Sequence, residues 1–150
     1  QTQLKLAKKF KKKGIKIAFN PSEYFIKEIN VKPLLRICDI VVMNKEEAGL
    51  LTKEKDKLRG IRKLGPKIVV ITNNEKEIHC YNGRNIYSIK PPRVKVVEKT
   101  GAGDAFASGF VAGQVVGRSI EESLELGVRE SQAVLKHFGA KNNLLRMKLR

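Results

Sequence analysis

Apolar and polar positions fall along this chain in blocks whose period changes. Leu4, Ala7 and Phe10 recur at three-residue steps with Leu6 and lysines between them, which predicts an amphipathic helix over Gln3 to Lys13. Gly14 is placed to end it. Ile15, Ile17, Ala18 and Phe19 then form a short apolar run before Asn20-Pro21-Ser22, read as a buried strand followed by a loop. The unit recurs. A short helix is expected from about Val31 to Ile37, with Pro33 in its first turn, and Ile40 to Met43 is the next strand. Lys45 to Leu51 and Lys55 to Leu64 read as helices, Gly65-Pro66 breaks the pattern, and Lys67 to Thr72 is a third apolar strand. Continuous apolar strands alternating with helices predict an α/β fold with a mainly parallel sheet covered on both faces.

The texture then changes. Ile78 to Tyr81 and Asn85 to Ile89 flank Asn82-Gly83, the signal for a hairpin with a type I′ turn. Pro91-Pro92 closes that excursion, and Val94, Val96 and Val97 are expected to begin another strand. A helix follows Gly103 to about Gly117, and a last one runs from Ser119 to about His137, with Ser119 and Glu122 spaced as a capping box.

Candidate chemistry concentrates where the valine-rich segment meets the first of these two helices. Lys99-Thr100-Gly101-Ala102-Gly103-Asp104 puts a Gly-x-Gly turn directly before a helix, which aims backbone N–H groups and the positive end of the helix dipole at one point. Gly101 and Gly103 lack a Cβ, so an anion can come close to the backbone. Asp104 on the rim has two readings. One is a first-turn charge stabilised by the dipole. The other is a general base that takes a proton from a substrate hydroxyl while the hole holds a phosphoryl group. The dinucleotide fingerprint fails because Phe106 stands where a small residue is needed, and no Gly-Lys-Ser/Thr run supplies a P-loop.

Composition bounds these readings. With 150 residues and 41% hydrophobic content the chain can bury one core, and no apolar run is long enough to span a membrane. Cys38 and Cys80 are too few and too far apart for a disulfide framework, so two buried thiols in a reducing cytoplasm are expected. His79 and His137 are the only histidines, which argues against a Cys/His metal site. Thirty-one Lys and Arg against fifteen Asp and Glu give a formal charge of +16. The positives are spread over Lys8 to Lys13, Lys53 to Lys67, and Arg146, Lys148 and Arg150, without interleaved aromatics. That favours a soluble lysine coat over a nucleic-acid surface.

Thr100 to Phe110 resembles the C-terminal signature of the PfkB (ribokinase-like) carbohydrate kinases. Asn44-Lys45-Glu46-Glu47 resembles that family's Asn-x-x-Glu motif at a strand end, Lys67 to Asn74 its apolar strand ending in Thr, and Phe138-Gly139-Ala140 its C-terminal end. The resemblance implies a ribokinase-like three-layer αβα fold with a small β-hairpin excursion. It implies that residues 1–150 are the C-terminal, nucleotide-binding and catalytic part of one kinase domain, the N-terminal substrate and lid half being absent. The bare surface would associate with that missing half or with a second copy. The implied activity is ATP-dependent phosphorylation of a hydroxymethyl group on a sugar or nucleoside in the cytoplasm. The chain alone is not expected to phosphorylate a sugar.

By the same resemblance, Asp104 is the base and Gly101, Ala102 and Gly103 form the anion hole. Asn44 and Glu47 organise Mg²⁺ through its waters, although on their own they read as a helix cap and a surface charge. Thr72, Asn74, Lys76, Glu77 and Val128 join Asn44 and Gly103 on the nucleotide. Glu98, Thr100 and Gly139, with carbonyls near Val134 and His137, surround a monovalent cation such as K⁺. Two departures stand out. Asn74 and Glu77 occupy the loop where the family carries glycines, and Glu98-Lys99 replaces its Asp-Thr. Asn74 can still adopt a left-handed conformation. The loop departure supports an alternative, a non-catalytic nucleotide-binding or regulatory remnant. The charge alone supports a basic nucleic-acid-binding domain.

Overall fold

The computed structural model describes residues 2–74 and 76–146. Glu75 of the altered loop and Lys148 and Arg150 of the basic C-terminal cluster lie outside the described residues. The chain divides into two compact units. One comprises the residues up to Asn73 with Ile78–Ile86; the other comprises Asn74–Glu77 with the residues from Tyr87 onward.

The first unit starts with α1 (Thr2–Lys12) and a two-residue strand β1 (Ala18–Phe19), shorter than its apolar run suggested. A short helix, α2 (Glu23–Glu28), follows the expected loop at Asn20-Pro21-Ser22. Ser22 caps it, its Oγ accepting from the Phe25 N–H at 3.2 Å. Then come α3 (Lys32–Leu35), β2 (Ile40–Asn44), α4 (Lys45–Leu51), α5 (Lys57–Lys63), β3 (Ile68–Thr72) and β4 (Ile78–Tyr81). Strand β5 (Ile86–Ile89), of which only Ile86 belongs to the first unit, is the fifth strand of a sheet whose spatial order follows the sequence. β1, β2 and β3 are parallel, in register from Ile40↔Ile68 to Asn44↔Thr72, and β4 runs antiparallel to β3.

The two faces of β2 and β3 are both buried, which is why these strands read as unbroken apolar runs. Val41, Met43, Val69 and Ile71 form one core cluster with Val31, Leu35, Ala48 and Ile61. Ile40, Val42 and Val70 from the opposite face are buried as well. Each such side chain contributes about 1.5–3 kcal/mol on burial. Ala7 of α1 packs with Leu34 and Cys38 in a second cluster.

Asp39 anchors the start of β2. Its N–H donates to the Ile17 carbonyl, and its own carbonyl accepts from the N–H groups of Lys67 and Ile68. The carboxylate pairs with Lys11 and Lys67 and accepts from the Ile17 N–H at 2.9 Å. Burial alone would raise its pKa, but the Lys11, Ile17 and Lys67 donors outweigh that and hold it below the usual carboxylate range. The fold therefore favours the ionised form. Its contribution is complete at neutral pH and is lost as pH falls from about 4 through the lower folded value. A urea series should show Asp39→Ala about 2 kcal/mol less stable at neutral pH, with a shallower decline than the parent below about pH 4. An equal decline in both proteins would remove Asp39 as the cause. Next to it, burial first, then the Asp39 charge, against the opposing charge of Lys11, push the Cys38 thiol up to about 12. Cys38 and Cys80 are both buried and not joined to each other.

Two further expectations are corrected. The turn between β4 and β5 is not type I′, which needs positive φ at both central residues. Only Gly83 has it, at 93°. Asn82 instead folds the loop with its side chain, Oδ1 accepting from the N–H groups of Arg84 (2.9 Å) and Asn85 (2.8 Å). In the second unit, Val94 to Val97 form no strand. The Val97 N–H instead donates to the Leu135 carbonyl at 2.8 Å. That unit is built on α6 (Ala102–Val115) and α7 (Ile120–Leu135), with the Ser119–Glu122 capping box present as expected. The helices meet closely at Gly109 and Gly127: a Cβ on Gly127 would lie 2.9 Å from the Phe106 ring. Phe106 and Phe110 are buried. No described helix is long and apolar enough to cross a membrane.

Candidate functional site

Polar residues gather where the parallel strands of the first unit end. Asn44 closes β2 and is paired in register with Thr72, the last residue of β3. Thr72 Oγ1 donates to the Met43 carbonyl at 3.4 Å. Asn44 and Glu47 form a reciprocal capping box on α4: Asn44 Oδ1 accepts from the Glu47 N–H, and Glu47 Oε2 accepts from the Asn44 N–H, both at 2.8 Å. The pair is thus a helix cap, and the cap fixes a carboxamide and a carboxylate at the carboxyl end of the parallel strands, where such sheets bind ligands. Asn20, in the loop that follows β1, belongs to the same edge. Its Nδ2 donates to the Val42 carbonyl at 2.8 Å. The signal was available, since Asn20 is the first polar residue after an apolar run, as Asn44 is.

The altered loop after β3 is also informative. Asn74 takes φ 51°, the left-handed conformation the expectation required of it. Asn74, Lys76 and Glu77 are exposed.

In the second unit the glycine turn has the expected form. Gly101 is the N-cap of α6 at φ 84°, and a Cβ there would stand 2.6 Å from the Ala140 Cβ. Both its conformation and its neighbour require glycine. Gly103 differs. It has no positive φ, and a Cβ there would meet nothing within 4 Å. Neither its backbone conformation nor a neighbouring side chain requires a glycine at that position. The Ala102 N–H turns back to the Lys99 carbonyl at 3.2 Å, and the Ala105 N–H goes to the Gly101 carbonyl at 2.8 Å. The N–H groups of Gly103 and Asp104 have no backbone acceptor among the described residues. Asp104, in the first turn, is exposed and makes no hydrogen bond or ion pair among the described residues. The turn therefore offers two N–H donors, the positive end of a 14-residue helix, and a carboxylate beside them.

Glu98, Thr100 and Gly139 are brought together, but by hydrogen bonds between themselves. Glu98 Oε2 accepts from the Gly139 N–H at 2.8 Å. That donor first, and the Thr100 hydroxyl second, hold the Glu98 carboxyl below the usual carboxylate range. The carbonyl of Val134 takes the His137 N–H, and that of Gly139 takes the Asn142 N–H, both at 3.1 Å. Hydrogen-bond donors thus meet the Glu98 carboxylate and two of these carbonyls, and it is hydrogen bonds that join the three residues. Val128 is buried in α7.

The pattern described as pfkB family carbohydrate kinase matches residues 2–146. A cytidine kinase from Thermococcus kodakarensis is 36% identical over 147 residues, covering 93% of this chain and 53% of that protein. A ribokinase from Lactococcus lactis subsp. lactis is 27% identical, covering 96% of this chain and 47% of that protein. The structure of Arabidopsis thaliana ribokinase complexed with ribose and ATP superposes with a TM-score of 0.83 at 26% identity, over 94% of this chain and 48% of that one. The chain spans about half the length of these relatives. The fold is ribokinase-like, the strand-end and glycine-turn motifs lie within the matched residues, and the chain belongs to the pfkB family of carbohydrate kinases.

Proposed function

We propose that this chain carries the nucleotide-binding and catalytic part of an ATP-dependent kinase acting on a hydroxymethyl group of a sugar or nucleoside. The observation that carries the reading is the exposed, unpartnered Asp104 beside the outward N–H groups of Gly103 and Asp104. Asp104 accepts the proton of the acceptor hydroxyl. The hydroxyl oxygen forms a bond to the γ-phosphorus of ATP as the bond from that phosphorus to the β–γ bridging oxygen breaks. The two N–H groups and the helix dipole stabilise the negative charge on the phosphoryl oxygens. Asn44 and Glu47 are suited to hold a hydrated Mg²⁺, which when bound neutralises phosphate charge. Thr72, Asn74 and Lys76 follow that strand-end edge along the chain and are assigned to the nucleotide. The acceptor pocket is assigned to polypeptide outside these 150 residues. The 36% identity to a cytidine kinase makes a pyrimidine nucleoside the first acceptor to assay, with ribose second.

Calorimetric titration of Mg-ATP into the intact protein that carries this sequence tests the reading. Saturable binding at least tenfold tighter than millimolar, about −5.5 kcal/mol or better in free energy, is the expected result. Binding no tighter than millimolar would favour the non-catalytic remnant, for which the exposed Glu77 beside Lys76 is the supporting feature.

A further inference from the structure

The glycine turn has to be held in place before it can hold a phosphoryl group, and this chain does so with unusual parts. Glu98 lies three residues before Gly101 and reaches across to the segment that follows α7. It takes the Gly139 N–H at 2.8 Å and the Thr100 hydroxyl. The backbone just before it is tied to the same region, the Val97 N–H donating to the Leu135 carbonyl. The residue after Gly139 is Ala140, whose Cα, Cβ and carbonyl oxygen press on Gly101 so closely that a methyl group there would sit within 2.8 Å of all three. The carboxylate, the Gly139 N–H, Ala140 and Gly101 therefore form a continuous mechanical path to the first turn of α6. Two of the carbonyls expected around a cation each accept a backbone N–H, Val134 from His137 and Gly139 from Asn142.

We propose that Glu98 is a positioning residue that clamps the segment at Gly139–Ala140 onto the Gly101 turn by hydrogen bonds alone, so that the turn is ordered without a monovalent cation. A longer carboxylate side chain than aspartate suits this role, because it spans from one segment to the other and meets two donors itself. The consequence for phosphoryl transfer rests on the function proposed above. The clamp itself does not, and it is read separately.

The test measures amide hydrogen exchange at Gly139 and Gly101, and their amide resonances, in the parent protein at constant ionic strength with K⁺ or with tetramethylammonium as the cation. The parent is expected to give the same exchange rates and resonances in both. Glu98→Ala should lose protection at Gly139 by about tenfold or more, the loss expected for a hydrogen bond to a charged acceptor. Glu98→Gln keeps an acceptor oxygen of the same reach and should recover most of that protection, a rescue that simple loss of packing would not give. K⁺-specific shifts at Gly139 and Gly101 in the parent would overturn the proposal, as would unchanged Gly139 exchange in Glu98→Ala. If Glu98→Ala does not fold, the K⁺ comparison in the parent and the Glu98→Gln exchange rates decide. Should the kinase reading fail, turnover would be absent in every variant while these exchange results would stand.

Discussion

Asp104→Asn in the intact protein is expected to lower turnover by roughly 10²–10⁴-fold while leaving Mg-ATP affinity within about twofold. Asn keeps the size and most of the hydrogen-bonding capacity of Asp, so the helix start remains. It cannot take a proton. Asp104 is exposed and has no partner among the described residues, so replacing it breaks no internal interaction. The competing role, a first-turn charge that complements the helix dipole, makes a different forecast. It would cost only about 0.3–1 kcal/mol of stability and leave turnover alone. Steady-state rates, a Mg-ATP titration and a thermal melt on the same variant separate the two. Near-parental turnover with a small drop in melting temperature would leave Asp104 as a structural charge and remove the base from the proposed mechanism.

The features legible in the sequence are those that one local signal decides. β2 and β3 are buried on both faces, so every position is apolar and the strands are visible as runs. The cap at Ser119–Glu122 and the N-terminal placement of Asp104 follow from residue types at fixed spacings. The features that local patterns do not reveal depend on partners distant in the chain, or on competition between two local signals. The six-residue α2 is too short to show a helical period, and Asn20-Pro21-Ser22 masks the cap that starts it. The Asn82-Gly83 pair satisfies the rule for a type I′ turn, yet the Asn82 side chain bonds two backbone N–H groups and makes a different loop. Val94 to Val97 have strand composition, but the Val97 N–H goes to the Leu135 carbonyl of α7, a partner that composition does not reveal.

The candidate site divides the same way. Gly101 to Asp104 are contiguous, so their geometry was readable from order alone. Asn44 and Thr72 meet only because β2 and β3 pair in register, which the alternation of strands and helices implied without fixing. Glu98 and Gly139 lie 41 residues apart, and only the fold shows that their contact is a hydrogen bond in which the N–H, not the carbonyl, faces the carboxylate. The resemblance places these residues around a cation; in the fold they meet through hydrogen bonds among themselves.

The two glycines of the turn should respond in opposite ways, and the contrast tests the anion hole more sharply than either change alone. Gly101→Ala must accept φ 84° and a Cβ placed 2.6 Å from the Ala140 Cβ and 2.8 Å from its Cα and carbonyl oxygen. Left-handed backbone and overpacking together should cost about 2–4 kcal/mol. For a chain of this size that is a melting temperature lower by roughly 5–15 °C. Gly103→Ala adds a methyl group into open space, at a helical position where alanine is about 0.5–1 kcal/mol better than glycine. It should melt at or slightly above the parent temperature. If the Gly103 N–H is where a phosphoryl oxygen approaches, the same methyl group obstructs that approach, and turnover should fall by at least about tenfold in a fully folded protein. Loss of activity at Gly101 can always be ascribed to a damaged fold. Loss at Gly103 with stability intact cannot, because nothing else within 4 Å would feel the added atom. A Gly103→Ala protein that is both stable and fully active would mean that no anion comes close to this backbone, and the helix start would then be a cap and nothing more.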